Sequence, residues 1–315
     1  MNPLSMDQQD LGYALTPEQQ QVLAQLPKAS LCGDALHFFQ VDVNGALDPQ
    51  RLQTALDALL VQQPMLLAQV GKATGFHGFR QFAAQVERFP LTVQARIESV
   101  ADIQEQIAEW AARSYVLGES ESVQAVLYRL ADEQWKLVFG VARHCCDDSG
   151  LKLLYQQLCL AYEQGLPEGD DAPGEFSQYL EWRSEVVLDE DAASARLYWQ
   201  EHLQDADVEL SSPWLAYRKA SAESASALFS SALEPALLVG LQQASAALQQ
   251  PQSLLLQGAW WLLLARLSGQ EQMLVGLRHD SREDYEYFAD AVGVFARSLP
   301  LNLALPLAVP FDGWL

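Results

Sequence analysis

Residues 134–150, QWKLVFGVARHCCDDSG, decide how the rest of the chain is read. Val138, Gly140 and Ala142 alternate with Leu137, Phe139 and Val141, so the run has no polar face. That is the pattern of a strand buried on both sides. It stops at Arg143-His144-Cys145-Cys146-Asp147-Asp148, six polar or reactive residues at one end of an apolar strand. Gly150 follows, and Leu151, Leu154, Leu158 and Tyr162 then recur at helical spacing, so a helix leaves the loop. A polar loop pinned between a buried strand and a helix suits a reacting group, because rigid neighbours fix its geometry.

Working outward, 315 residues suggest about two domains or lobes, and a hydrophobic half of the composition is ample for sizeable cores. Lys plus Arg is 19 against 41 Asp plus Glu, a formal charge of −22. Such a surface repels phosphate backbones, which argues against nucleic acid and anionic membranes as partners. Cys32, Cys145, Cys146 and Cys159 form no framework spacing, so reduced thiols in a cytoplasm are expected. The opening MNPLSMDQQD lacks a basic start and an apolar run, so no signal peptide is expected. Leu254 to Leu267 is too short to span a bilayer and carries Gln257 and Arg266; a core helix is the better reading.

Upstream of the central stretch, Thr16-Pro17-Glu18-Gln19 reads as a helix start with a capping box. A half-buried strand runs from Leu36 to Asn44-Gly45, and Asp48-Pro49 caps an amphipathic helix with Leu52, Leu56, Leu59 and Leu60 inward. Short strands follow near 65–71, 76–82 and 89–96, the last placed at an edge by Pro90. A helix capped near Ser99 precedes strands at 122–130 and 134–142. Downstream, GLPEGDDAPG (165–174) reads as a linker. Helices carrying Tyr179, Trp182, Tyr198 and Trp199 follow, with a loop at 205–213 and a strand near 225–233. A helix at 235–248, the Trp-rich helix 253–267 and strands at Met273 and Val292–Leu303 complete the order. The result is an α/β chain whose sheets are covered by helices, in two lobes, residues 1–168 and 169–315.

His144 is the sharpest chemical candidate, a general base with an ordinary pKa of about 6.5; its bland reading is a ring satisfied by Asp147 or Asp148. Consecutive His-Cys-Cys-Asp residues cannot all face one ion and no second ligand pair exists, so no metal is expected. Trp260-Trp261 reads as core packing. His37, His77, His202 and His279 are isolated and read as structural or surface groups.

Together the residues resemble something specific. Arg143-His144-Cys145-Cys146-Asp147-Asp148-Ser149 resembles the His-His-x-x-x-Asp-Gly motif of condensation domains of nonribosomal peptide synthetases, which share a fold group with chloramphenicol acetyltransferase. Leu15 to Gln19 resembles the family's opening motif. Gln62 to Leu67 occupies the place of its Arg-His-Glu-x-Leu-Arg. Tyr179 to Trp182 and Tyr198 to Leu203 resemble the segment joining the lobes. Gly276 to Arg282 resembles the strand and loop ending in its Arg, and Val292-Gly293-Val294-Phe295 its Ile-Gly-x-Phe.

The resemblance implies two chloramphenicol acetyltransferase-like lobes, the second incomplete because the sequence stops at Leu315 earlier than such domains do. It implies amide formation in secondary metabolism between an acyl thioester and an amine, brought by donor and acceptor peptidyl carrier proteins among neighbouring synthetase domains. No cofactor is bound directly; the phosphopantetheine arms belong to the carriers. His144 takes the place of the catalytic His, and Asp148 with Arg282 that of a structural salt bridge across the lobe junction; Asp148 keeps the motif spacing from His144, while the phase of the helix leucines suits Asp147 better. Arg143 replaces the first His and is expected to lower the pKa of His144. Ser149 replaces the Gly and is expected to strain the backbone if φ is positive there. The altered motif leaves two rivals: a non-catalytic platform docking carrier proteins or a tailoring enzyme, and a free-standing acetyltransferase using coenzyme A.

Overall fold

A computed structural model describes residues 12–25, 35–83, 88–94, 97, 99–113, 115–166, 174–186, 191–204, 231–305 and 309–313. In chain order the elements are β1 (Tyr13–Ala14), α1 (Pro17–Gln25), β2 (Leu36–Asn44), α2 (Pro49–Gln62), β3 (Gln69–Gly71), β4 (Arg80–Phe82), β5 (Leu91–Gln94), α3 (Val100–Ala112), β6 (Val123–Ala131) and β7 (Gln134–Ala142). They continue with α4 (Asp148–Glu163), α5 (Phe176–Val186), α6 (Asp191–Leu203), α7 (Pro235–Leu248), α8 (Gln252–Ser268), β8 (Gln272–Asp280) and β9 (Ala296–Ala304). The chain is α/β, as expected.

The apolar run that ends at the polar loop is β7, which lies inside a four-stranded sheet of order β2-β7-β6-β5. β7 pairs antiparallel with β2 (Phe39 opposite Phe139) and with β6 (Leu127 opposite Leu137), while β5 runs parallel to β6 at the edge. One face of β7 sends Leu137, Phe139 and Val141 into a core with Leu56 and Leu59 of α2 and Leu151 and Leu154 of α4. The other face sets Val138 against Ile103 and Ile107 of α3. Gly140 is there because a Cβ would stand 2.5 Å from Cζ2 of Trp110, and that ring packs edge-on to Phe38 of β2 at 5.1 Å. Burial on both faces from Leu137 to Ala142 therefore follows from the unbroken apolar run over those positions.

The caps explain where helices start. Thr16 and Gln19 exchange bonds, Gln19 N–H to Thr16 Oγ1 at 3.2 Å and Thr16 N–H to Gln19 Oε1 at 3.0 Å. Ser99 and Asp102 form the corresponding box on α3. Pro64–Leu67 is a 3₁₀ turn in which Leu66 N–H donates to Gln63 O at 3.0 Å and Ala68 N–H to Met65 O at 3.1 Å, so the strand expected at 65–71 shortens to β3.

Two compact groupings emerge, Met1–Ala192 with Arg278–Arg297, and Ala193–Leu277 with Ser298–Leu315. The expected boundary at 168–169, most of the linker, the loop at 205–213, the strand near 225–233 and Cys32 lie outside the described residues, apart from 231–233, which carry no strand. In the second grouping α7 and α8 pack together, with Leu255 and Ala265 buried. Trp260 is 58% exposed, beside exposed Leu256, Leu263 and Leu267, so the expected core role of this ring does not hold. Hydrophobicity marks what an interior accepts, not what it must contain.

Candidate active site

Where β7 ends, the chain makes a tight turn: Cys145 N–H donates to Ala142 O at 2.9 Å and Arg143 N–H to Ala35 O at 3.0 Å. The turn tucks His144 inward. Its side chain is 2% exposed, its ring lies 6.0 Å from that of Tyr115, and among the described residues no hydrogen-bond partner reaches Nε2. Burial lowers its pKa from 6.5 to about 4, so the imidazole is neutral at neutral pH. Burial pushes the neighbouring Cys145 thiol up to about 12 and Cys146 well above its ordinary value, leaving both as unreactive thiols. Among the described residues no three His, Cys, Asp or Glu side chains gather as metal ligands would.

The turn is anchored by Asp147, the N-cap of α4. Its Oδ1 accepts from Gly150 N–H at 2.7 Å, and its Oδ2 accepts from Phe295 and Ala296 N–H, both at 2.8 Å. Arg282 Nη1 lies 3.2 Å from the same Oδ2, with both side chains at least 95% buried. The guanidinium also donates from Nε to Ala291 O at 2.8 Å, from Nη2 to Gly293 O at 3.0 Å, and from Nη1 to Asp280 at 3.0 Å, and it covers the Phe295 ring at 4.2 Å. Burial alone would raise the Asp280 carboxyl, but Arg282 and the bonds of Arg282 and Ser149 hold it below its usual range.

The salt bridge expected for Asp148 therefore belongs to Asp147. Asp147 keeps extended dihedrals (φ −90°, ψ 177°) that aim its carboxylate at the helix start, whereas Asp148 begins the helix and faces water, 69% exposed. Asp148 instead lies 3.8 Å from His37 Nδ1 and 3.5 Å from Arg278 Nη2. Two further expectations also fail. Ser149 sits in the first turn of α4, and among the described non-glycine residues only Gln249 has positive φ, so no strain arises there. Arg143 does not set the pKa of His144, whose shift comes from burial; its Nε donates to His37 Nε2 at 3.4 Å. His37 is accordingly not isolated: burial first and Arg143 second lower its pKa.

The other motifs that carry the resemblance converge on the same turn. Gly293 O accepts from Asp147 N–H at 3.1 Å, and a Cβ at Gly293 would overlap the Phe176 ring, so glycine is required by close approach. Gly150 is equally constrained, since a Cβ would stand 2.6 Å from Cys146 Sγ. Gln63 Oε1 accepts from Val292 N–H at 3.3 Å. Gln19 Nε2 donates to the His144 carbonyl at 2.8 Å, a contact its capping role did not announce.

A family profile described as Condensation domain matches residues 12–309. The chain is 24% identical over 287 residues to tyrocidine synthase 3 of Brevibacillus parabrevis, covering 89% of this chain and 4% of that protein. It is 22% identical over 274 residues to bacitracin synthase 3 of Bacillus licheniformis, covering 84% and 4%, so it spans a small fraction of the length of these relatives. Among solved structures, the first condensation domain of the calcium-dependent antibiotic synthetase, in complex with a substrate analogue, superposes with a TM-score of 0.77 at 18% identity, covering 97% of this chain and 72% of that one. The complex of the X-domain and OxyB from teicoplanin biosynthesis gives 0.70 at 18% identity, covering 95% and 67%. With a profile match that takes in the opening motif, the His144 turn and the Arg282 loop alike, the chain belongs to the condensation-domain family.

Proposed function

We propose that this chain catalyses amide formation between an acyl thioester and an amine, each tethered by phosphopantetheine to a peptidyl carrier protein of a nonribosomal peptide synthetase. The observation that supports it is the neutral, buried Nε2 of His144, without a partner among the described residues, on a turn held by Asp147 and Arg282. An imidazole with pKa about 4 cannot take a proton from an ordinary α-ammonium group, whose pKa is about 8. It can accept a hydrogen bond from the N–H of the free amine and so aim the nitrogen lone pair at the thioester carbonyl. As the C–N bond forms, that nitrogen becomes acidic; its proton passes to Nε2 and then to the departing thiolate as the C–S bond breaks. Asp147 and Arg282 take no part in the proton's path and act by holding the turn.

A docking platform for carriers or a tailoring enzyme is the second reading. It draws on the 2% exposure of His144 and on the Arg143–His37 contact where the motif's first His would stand. Mixing acyl-loaded donor and aminoacyl-loaded acceptor carriers with the protein, and following product mass, separates the two. Amide from the native chain but not from His144→Ala supports catalysis. Equal product from both sinks the role of His144, and binding without product under every loading favours the platform.

A further inference from the structure

Gln19 is 0% exposed, and its carboxamide uses every hydrogen-bonding position it has. Oε1 accepts from Thr16 N–H at 3.0 Å and from Gln81 Nε2 at 2.9 Å; Nε2 donates to Gln81 Oε1 at 3.0 Å and to the His144 carbonyl at 2.8 Å. Gln81, in β4 and itself 2% exposed, also donates to Ala14 O at 3.3 Å. The two amides thus form a reciprocal pair tied to β1, to the cap of α1 and to the turn after β7. A buried polar network satisfied at each end defines one geometry, because any displacement leaves a donor or acceptor without a partner.

We infer that Gln19, locked by Thr16 and Gln81, is a positioning residue for His144: it holds the His144 carbonyl and thereby fixes where the imidazole stands. The turn needs such a hold. Asp147 anchors the chain that follows His144, and Arg143 N–H is tied to Ala35, but the other described contacts leave the His144 carbonyl to Gln19. The assignment rests on the proposed role of His144 only where turnover is measured; the contact and its effect on the ring stand apart from it.

The test is proton and carbon NMR of the histidine rings in the full chain, with His144 assigned by its loss in His144→Ala. Gln19→Met keeps the volume and removes both the donor and the acceptor. Its expected result is a displaced His144 signal and a titration midpoint raised by about one pH unit, as a loosened turn admits water. Ser99→Ala, which removes the corresponding cap of α3 and touches neither Gln19 nor Gln81, leaves signal and midpoint where they were. If Gln19→Met does not fold, Gln81→Met is read instead, with a smaller displacement in the same direction. An unmoved His144 signal and midpoint in a folded variant overturns the inference. Where the native chain forms amide, Gln19→Met lowers kcat about tenfold with KM unchanged. A native chain with no turnover counts against the proposed reaction, and the ring titration still decides the positioning.

Discussion

Arg282 and Asp147 meet at 3.2 Å with 5% and 3% of their side chains exposed, across 135 residues of sequence. Neither charge has water to fall back on. Removing Arg282 leaves the Asp147 carboxylate buried without its counter-charge, and removing Asp147 leaves Arg282 with Asp280 alone and strips α4 of its cap, at a cost of about 3–5 kcal/mol. Asp147→Ala and Arg282→Met should each lower the unfolding free energy from urea titration by that much. Asp148→Ala, taking away a carboxylate that is 69% exposed, should cost no more than about 1 kcal/mol. A larger effect from Asp148 than from Asp147 reverses the assignment of the clamp.

Acid should weaken the fold through His144. Its pKa in the folded chain is about 4, against 6.5 when unfolded, so between these values only the unfolded chain takes up the proton. The contribution is fully present above pH 6.5 and is lost as pH falls toward 4, on the order of 3 kcal/mol. Unfolding free energies measured across that window in the native chain and in His144→Asn should converge as the pH drops.

The two cysteines beside the histidine should resist alkylation. Burial holds Cys145 at about 12 and Cys146 well above its ordinary value, so neither supplies thiolate at about pH 8. Iodoacetamide followed by peptide mass mapping should find both unmodified in the folded protein and labelled in urea. Rapid labelling of either without denaturant contradicts the geometry of the turn.

A methyl group at Gly293 should be poorly tolerated. The added Cβ overlaps Phe176, which is wedged between Tyr179 at 5.8 Å and Phe295 at 5.3 Å between ring centres and has little room to move. Gly293→Ala should therefore cost about 1–3 kcal/mol, read from chemical denaturation, whereas Gly240→Ala, where a Cβ meets nothing, should not.

Local chemistry was readable where a short-range rule governs it. The unbroken apolar run Leu137–Ala142 in β7 marked its double burial, and the Thr16–Gln19 spacing and the cap near Ser99 marked two helix starts. Motif spacing and helix phase disagreed over which aspartate pairs with Arg282. Phase was the better guide, because Leu151, Leu154 and Leu158 fix the rotation of α4 and leave Asp147 at its cap. Contacts made across long stretches of sequence carry no periodicity, which is why Gln19 on the His144 carbonyl and His37 on Arg143 were not foreseen. Trp260 misled for another reason: apolar character alone does not say which side of a helix faces water.

Phe295 N–H closes on Asp147 across 148 residues of chain. During synthesis at roughly 5–20 residues per second, on the order of ten seconds pass between the emergence of one partner and the other. Over that interval β2, β6 and β7 can assemble with α2 and α4, but the loop carrying His144 waits for its fastening. The scaffold is thus complete before its reactive corner can be, and damage to the late-arriving segment should yield a chain that keeps its sheet yet has lost its grip on the histidine.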